Sequence, residues 1–248
     1  MEKVLFLLTF IFCATTIVAQ DLPPNIVGVR AGINMSSILT NKKEPHFNAS
    51  SRKSFNFGIS YQRQIVSLKP FYLETGLYLS DKGFKEDIHF KFRQDYPPFD
   101  TLEIHDNYMT KLLYIQVPLV FNYRFTLNNN VSMEPFFGFY LSYGIGGKTL
   151  MFDNSDMIGG MHTEVVKSFG KDGVNDFDFG LKVGTGVIFY NIYVGLAYEF
   201  STLKIGGNYY RENIIRNGNL SIHLGYNIPL YSKQQLKDSF NRIYPLIE

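Results

Sequence analysis

The feature that most constrains this chain is a run of alternating residues from Leu113 to Arg124. Every second side chain from Leu113 to Tyr123 is apolar or aromatic, whereas most residues between them are polar. Successive side chains of a β-strand point to opposite faces, so the alternation predicts a strand. Strands of soluble sheets usually have roughly 5–6 residues, whereas a tilted strand that crosses a bilayer needs roughly 9–11. The run therefore predicts a membrane-spanning strand whose apolar face meets lipid.

Seven further runs show the same alternation. They are Val27–Met35, Phe55–Gln64, Phe71–Ser80, Glu134–Ile145, Phe177–Phe189, Ile192–Phe200 and Asn219–Ile228. The connections between the eight runs alternate between long and short. Outer-membrane barrels have an even number of antiparallel strands, short periplasmic turns and longer extracellular loops. We therefore predict an all-β fold, an eight-stranded antiparallel transmembrane β-barrel with short periplasmic turns and long extracellular loops.

The connections carry some pattern of their own. Alternation resumes on both sides of Pro97 and Pro98 within the long connection 83–110. It predicts a hairpin that extends the third and fourth strands beyond the membrane. The second long connection is 147–175, and the third is 202–218. Thr126–Asn130 is predicted as a short turn, and a tighter one is predicted at Tyr190 and Asn191.

Composition agrees with a barrel. The mean hydropathy of −0.07 is ordinary, as expected when only alternate residues meet lipid. The 23 phenylalanines and 17 tyrosines can supply aromatic girdles at both membrane interfaces. A formal charge of +2 leaves no basic footprint for nucleic acid. The alternative is a soluble β-sandwich or lipocalin-like barrel, which would bury the apolar faces inward; the length and purity of those faces and the loop alternation favour the membrane arrangement.

The N-terminus resembles a secretory signal peptide. Lys3 is followed by an apolar segment from Val4 to Phe12, and Ala19 is a plausible cleavage point. An N-terminal transmembrane anchor is the alternative. We expect residues 1–19 to be the signal, 20–231 the barrel and 232–248 a periplasmic tail, in the outer membrane of a Gram-negative cell. The only cysteine, Cys13, lies in the predicted signal, so we expect no thiol chemistry in the mature chain.

The inward faces of the predicted strands carry ionisable residues. They are Arg30, Glu74, Arg124, Glu134, Asp178, Lys182, Glu199 and His223. An eight-stranded barrel is just wide enough for side chains to fill it, and buried charges must be paired and hydrogen-bonded. We interpret this set as a structural polar cluster that fills the lumen. A proton or ion path along the same residues is the alternative.

Other candidate sites are weaker. Ser221 and His223 share a strand face, as a nucleophile and base of a lipid-modifying hydrolase would. Three histidines fall in predicted outer loops with Asp106 and Glu164 nearby, and paired loop histidines could bind a metal; they are His89, His105 and His162. Residues 153–156 lack the glycine and terminal glutamate of a calcium loop, and residues 144–149 lack phosphate-loop spacing. We therefore expect no catalytic residue, metal or cofactor.

Three motifs resemble a known family. GVRAGINMS begins at Gly28, YIQVPLVFNYRF at Tyr114 and DFGLKVGTGV at Asp178. They are similar to the PorT-like outer-membrane β-barrel family of Bacteroidetes, and the resemblance covers nearly the whole predicted mature chain. It implies the barrel fold and no catalytic residues. The family's namesake belongs to the type IX secretion system, so the resemblance implies a part in protein secretion.

The chain departs from many PorT-like members at its end. Residues 232–248 continue past the last predicted strand, and Leu236, Phe240 and Ile243 have helical spacing. A short amphipathic periplasmic helix and a solvated tail are both open. We expect a non-enzymatic anchoring or assembly protein that contacts outer-membrane lipid and, through its loops or tail, other secretion or envelope proteins. The alternatives are a surface ligand-binding or adhesion module and a lipid-modifying enzyme.

Overall fold

A computed structural model describes residues 23–40, 47–65, 68, 70–93, 101–128, 130–153, 162–170, 173–206 and 215–231. Ten β-strands lie within these ranges. They are β1 (Asn25–Thr40), β2 (Phe47–Gln64), β3 (Phe71–Arg93), β4 (Thr101–Tyr123), β5 (Phe125–Asn128), β6 (Val131–Asp153), β7 (His162–Lys167), β8 (Phe177–Phe189), β9 (Ile192–Ser201) and β10 (Ile215–Leu230). The predicted signal peptide, the Pro97–Pro98 turn and the C-terminal tail lie outside the described residues.

Among these strands, eight form a closed antiparallel ring. Its order is β4, β3, β2, β1, β10, β9, β8 and β6, and β6 pairs with β4 to close it. At the closing seam, Leu119 lies opposite Phe139 and Pro118 opposite Tyr140. A closed ring leaves no free strand edge across the bilayer, where an unpaired backbone group is costly. The transmembrane barrel predicted from the alternation is confirmed.

The two short strands lie at opposite ends of β6. β5 follows β4 after Arg124 and pairs with the start of β6, while β7 pairs with its far end. The prediction of a simple turn over Thr126–Asn130 was therefore wrong in part, because Phe125 and Thr126 pair with Met133 and Ser132. The second long connection, 147–175, is also partly strand, since β6 runs to Asp153 and returns as β7.

Strands β3, β4 and β6 are much longer than the membrane requires. β3 and β4 have 23 residues each and stay paired from Phe71 and Tyr123 out to Arg93 and Thr101. They pass the roughly 9–11 residues of a membrane-spanning strand, as the alternation beyond Ser80 predicts. We call the outer part of these strands the outer extension, which consists of β3 from Gly83, residues 101–111 of β4, residues 148–153 of β6, and β7. It is the outer part because Asn25 of β1, Leu230 of β10 and the short turns lie at the opposite, periplasmic end.

Burial alternates along each strand of the ring. In β9, Tyr193, Gly195, Ala197 and Glu199 are buried, whereas the residues between them are exposed. The outward residues of the ring are almost all apolar or aromatic. Examples on three strands are Phe55, Phe57, Ile59, Phe137, Phe139, Leu141, Ile222, Leu224 and Tyr226, each at least 46% exposed. A continuous apolar surface of this size is typical of a membrane contact.

Two tight features shape the ends of the ring. Tyr190 has a φ of 55° in the turn between β8 and β9, as two-residue hairpin turns require. Gly83 has a φ of 142°, and a Cβ there would collide with the carbonyl oxygen of Thr110 on β4. A glycine is thus needed where the membrane part of β3 continues into the outer extension.

An apolar layer fills the interior at the outer end of the barrel. Its members come from four strands and two connections, and each is at most 6% exposed: Ile38, Phe84, Leu112, Tyr114, Val174, Ile205 and Ile215. Phe169 packs against this layer, with its ring centroid 5.3 Å from that of Tyr114. The layer covers the polar lumen from the outer side.

Candidate functional site

Most of the buried charged side chains among the described residues lie in the lumen below the apolar layer. All eight residues predicted for the lumenal cluster lie on inward positions of the strands. Seven of them are less than 9% exposed and Glu74 is half-buried. Five of them fall into two groups at different depths, and Arg30, Asp178 and His223 lie outside both groups.

The first group surrounds Glu199 of β9, and we call it the Glu199 cluster: Glu199, Lys182, Lys82, Gln116 and Asn219. One carboxylate oxygen of Glu199 accepts hydrogen bonds from Lys182 Nζ at 2.8 Å and Gln116 Nε2 at 2.7 Å. The other lies 3.0 Å from Lys82 Nζ and accepts from Asn219 Nδ2 at 3.3 Å. Five different strands thus converge on one buried carboxylate.

Lys82 was missed by the sequence analysis. It is completely buried, and besides its ion pair its ammonium lies 4.4 Å from the ring centroid of Tyr140. The predicted third strand ended at Ser80 and the long connection began at residue 83, so Asp81 and Lys82 were assigned to neither. Continuing the alternation of Tyr72, Tyr78 and Ser80 by one step places Lys82 inward, which is the signal that could have found it.

Asp178 lies beside this cluster but is not paired with a cation in the same way. Its Oδ2 accepts hydrogen bonds from Asn217 Nδ2 at 2.9 Å and from the Tyr140 hydroxyl at 3.2 Å. Its Oδ1 has no hydrogen-bond partner among the described residues, although the side chain is completely buried. The hydrogen-bond donors to this carboxylate are therefore neutral groups.

The second group lies at the periplasmic end, and we call it the Arg124 cluster: Arg124, Glu134, Glu74, Gln62 and Asn122. Arg124 binds Glu134 through Nε at 2.6 Å and through Nη2. Gln62 accepts from Arg124 at 3.0 Å and donates to Glu74 at 2.6 Å, and Asn122 also donates to Glu74, at 2.8 Å. One guanidinium and two amides therefore bridge two carboxylates.

Arg30 is held by neutral groups. Its Nη2 donates to Asn227 Oδ1 at 2.6 Å, and the guanidinium carbon lies 4.0 Å from the ring centroid of Tyr193. A Cβ at Gly28 or Gly225 would lie within 2.6 Å of the Arg30 side chain. These two inward glycines make the space that the guanidinium fills, which explains their place in otherwise alternating strands.

The eight predicted residues and Lys82 together contribute four fixed cations and four carboxylates to the lumen. The cations are Arg30, Lys82, Arg124 and Lys182, and the carboxylates are Glu74, Glu134, Asp178 and Glu199. Their hydrogen bonds satisfy most of the polar atoms, as buried charges require. Chemically, this arrangement can fix the strands to one another and fill the interior.

The weaker candidates do not form a site in the described residues. The Ser221 hydroxyl donates to the Ala197 carbonyl at 3.4 Å, while His223 is buried beside Gly32. No group of three or more His, Cys, Asp or Glu residues within the described ranges is arranged to hold a metal. His89 and His105 lie in β3 and β4, within the predicted extension of the third and fourth strands, whereas the loop assignment of His162 was wrong, since it lies in β7. Residues 154–156 lie outside the described residues, and residues 144–149 lie in β6.

Comparison with known families decides the class of the protein. The family described as outer membrane protein beta-barrel domain matches residues 18–205. The chain belongs to this family. Membership places the barrel in the outer membrane, where its apolar belt contacts the lipid bilayer. Within the described residues, no helix has the length and apolar character needed to cross a membrane.

Several solved structures are similar to this outer-membrane barrel at low identity. Neisserial surface protein A is 16% identical, with a TM-score of 0.37 over 81% of this chain and 96% of that one. Ail of Yersinia pestis, solved with the heparin analogue sucrose octasulfate, is 13% identical, with a TM-score of 0.36 over 82% and 99%. OprG of Pseudomonas aeruginosa is 12% identical, with a TM-score of 0.37 over 84% and 97%. No curated protein matches the chain.

Proposed function

We propose that the protein is a non-enzymatic, non-conducting outer-membrane barrel that anchors an outer extension for contact with other envelope proteins. The PorT-like resemblance of its motifs makes a type IX-like protein secretion system the context we propose. The observation that carries the proposal is the lumen, which is filled by interlocked charges below an apolar layer.

A filled lumen argues against transport. Glu199 alone connects Lys82, Lys182 and Gln116 across the interior through contacts of 3.0 Å or less. Opening a water path would separate these pairs, and breaking a buried ion pair costs about 3–5 kcal/mol. The apolar layer above adds a second barrier, because ions are not solvated among Ile38, Leu112 and Ile215. Strands held together across a filled lumen therefore favour a membrane anchor over a channel.

The outer extension supplies the contact surface. β3 and β4 are paired without interruption from Ser80 and Tyr114 to Arg93 and Thr101, and β6 continues alongside β4 as far as Asp153. Continuous backbone pairing makes a stiff platform, in contrast to unpaired loops, and a preordered surface loses less entropy on binding. An anchor with such a platform fits a structural partner in a membrane assembly.

The secretion role is tested by pull-down from native membranes of the organism. A tagged full-length protein should retain secretion or envelope proteins, and replacing residues 84–110 by a short turn should abolish this retention. Deleting residues 232–248 tells whether the tail contributes. A matched variant with Lys53→Gln, on the outward face of β2, is the control. Normal secretion with both segments removed would contradict the role.

A surface ligand-binding module is the second candidate. The observation that favours it is that the outer extension is built as ordered strand from β3, β4 and β6. Grafting residues 84–110 onto another small barrel distinguishes the two functions. Transfer of ligand or cell-surface binding by the graft, with secretion unaffected in the deletion strain, would favour the binding module.

We further propose that the protein is not a lipid-modifying enzyme. The Ser221 hydroxyl donates to a backbone carbonyl, an arrangement that does not activate a nucleophile. Replacement by Ser221→Ala or His223→Gln should leave the lipid A profile of the cells unchanged, and an altered profile would contradict this. We also propose cleavage after Ala19, which intact-mass measurement of the mature protein tests.

A further inference from the structure

Three lysines form a row across the outer extension. Lys111 of β4 lies directly opposite Lys148 of β6, and Lys148 lies directly opposite Lys167 of β7. Directly opposed residues on antiparallel strands have Cβ atoms about 4.5–5.5 Å apart and share one face, and like charges in this arrangement are destabilising. None of these lysines forms a salt bridge with another described residue. The row therefore favours an external anion.

The lysine row faces away from the barrel interior. The neighbouring residues Thr110, Thr149 and Ser168 point inward, where their hydroxyls form a chain with contacts of 3.2 Å and 3.0 Å. Because side chains alternate along a strand, the lysines adjoining these three residues lie on the outer face. Lys148 and Lys167 are exposed and Lys111 is half-buried, in agreement with that orientation.

The height of the row matches a phosphate layer. Ile145 of β6 is exposed at the outer end of the lipid-facing belt, and Lys148 is three residues further along the same strand. At about 3.3 Å per residue and a tilt of about 40°, the row lies about 8 Å above Ile145. This is the depth of the polar headgroups, which add about 5–8 Å to each side of a hydrocarbon core.

A groove adjoins two of the lysines. It has a volume of about 440 Å³ and is lined by residues 144–148, residues 165–167 and Phe169. Gly146 leaves it open, since a Cβ there would meet no atom within 4 Å. Ile145 and Val165 line the same groove and are exposed. It thus combines cationic side chains with apolar walls, as an amphipathic ligand requires.

Apolar side chains also flank the row on its outer side. Met109, Leu150 and Val165 occupy the next aligned position across the same three strands. Cations between apolar side chains attract an anion more strongly than fully solvated ones, because the local dielectric constant is lower. The exposed carboxylate of Glu164 adjoins Val165 on β7 and therefore belongs to the opposite face.

We propose that Lys111, Lys148, Lys167 and the groove at Gly146 bind a phosphate-bearing lipid of the outer leaflet. The lysines bind the phosphate, and the groove binds apolar parts of the same lipid. This site requires only the outer-membrane location and is independent of the proposed role in secretion. It would fix the outer extension against the membrane surface on one side of the barrel.

The test titrates full-length protein in detergent with lipid A and measures the Kd by native mass spectrometry. Each lysine near an anionic surface contributes about 1 kcal/mol, or about fivefold. The double variant Lys148→Gln with Lys167→Gln should therefore bind lipid A about thirtyfold more weakly. The matched control, Lys53→Gln with Arg216→Gln, removes the same charge from β2 and β10 and should bind as the wild type does.

A charge-neutral variant tests the groove. Gly146→Leu places a side chain into open space, so the barrel should fold, as a heat-modifiable gel shift would verify, while lipid A binds more weakly. Unchanged binding by either the lysine pair variant or Gly146→Leu would overturn the proposal. Equal binding of dephosphorylated lipid A would also overturn it. Displacement of lipid A by inorganic phosphate at equal concentration would assign the site to a free anion instead, and so contradict a lipid site.

Discussion

The Glu199 cluster and the Arg124 cluster both pair buried charges inside the lumen, but with opposite ratios of cations to carboxylates. In the first, two lysines converge on one carboxylate deep below the apolar layer, and every member is buried. In the second, one arginine binds Glu134 directly and is linked through Gln62 to Glu74, which is half-buried at the periplasmic end. An excess cation in one group is thus matched by an excess carboxylate in the other, and neutrality holds only for the lumen as a whole.

The chemistry of the cations explains the ratio. A guanidinium has five donors in a planar fork and can serve Glu134 and Gln62 at once. An ammonium is a compact charge, so saturating Glu199 takes two lysines from β3 and β8 together with two amides. Replacing a cluster residue should cost more stability where the cluster lies deeper. Water can replace a lost partner near Glu74 but not near Lys82.

The largest effect is expected at Glu199. Glu199→Gln leaves Lys82 and Lys182 buried without a counter-charge, and removing one partner of a buried pair costs about 3–5 kcal/mol. Chemical unfolding of the barrel in lipid vesicles measures the loss. The triple variant Lys82→Met, Lys182→Met, Glu199→Gln serves as the control, because it also removes the two buried ammonium groups that the single variant leaves unpaired and should recover most of the stability. A loss under about 1 kcal/mol for the single variant would contradict the central role of Glu199.

A smaller effect is expected at Arg124. Arg124→Gln removes the cation that binds Glu134, yet Glu134 and Glu74 lie close to the periplasmic opening. We expect a loss of about 1–3 kcal/mol in the same unfolding measurement, the cost of leaving a buried hydrogen-bonding group unsatisfied. Arg124→Lys keeps the charge but loses the fork, and should fall between the wild type and Arg124→Gln. A loss equal to or above that of Glu199→Gln would reverse the comparison.

The smallest effect is expected at Asp178. Asp178→Asn keeps an oxygen that can accept from Asn217 and Tyr140, and neutral donors already carry this group. We expect a change of at most about 1 kcal/mol, the worth of an ordinary hydrogen bond. Asn217→Ala in the same background measures whether the hydrogen bond itself is retained. A loss comparable with that of Glu199→Gln would mean that Asp178 is coupled to the lysines.

The ring itself was predictable from the sequence. Alternation from Leu113 to Arg124 places Gln116 and Asn122 on one face, and the length and purity of the apolar faces assign that polar face to the interior. The structure places both residues there, at most 2% exposed. The same rule works on every strand of the ring because a single-residue slip would turn all apolar side chains inward. Hence the inward positions of Arg124, Lys182 and Glu199 could be derived before any contact was known.

Two features could not be predicted in this way. Lys82 was missed because the predicted third strand stopped at Ser80, whereas β3 continues through Asp81 and Lys82 by pairing with β4. The apolar layer was not predicted because Val174 and Ile205 lie outside the strands, where no alternating pattern identifies the inward-facing residues. Cross-strand partners such as Glu199 and Gln116 are 83 residues apart, and their contact depends on the order of strands around the ring.

The central claim is that the lumen is closed by the two charge clusters and the apolar layer above them. Its most direct test is single-channel recording of the full-length wild-type protein in planar lipid bilayers. A filled lumen predicts no discrete conductance steps, even though insertion is verified by a heat-modifiable shift of the same preparation. Stable, reproducible conductance steps of the wild-type protein would contradict a closed lumen and favour an ion path through it.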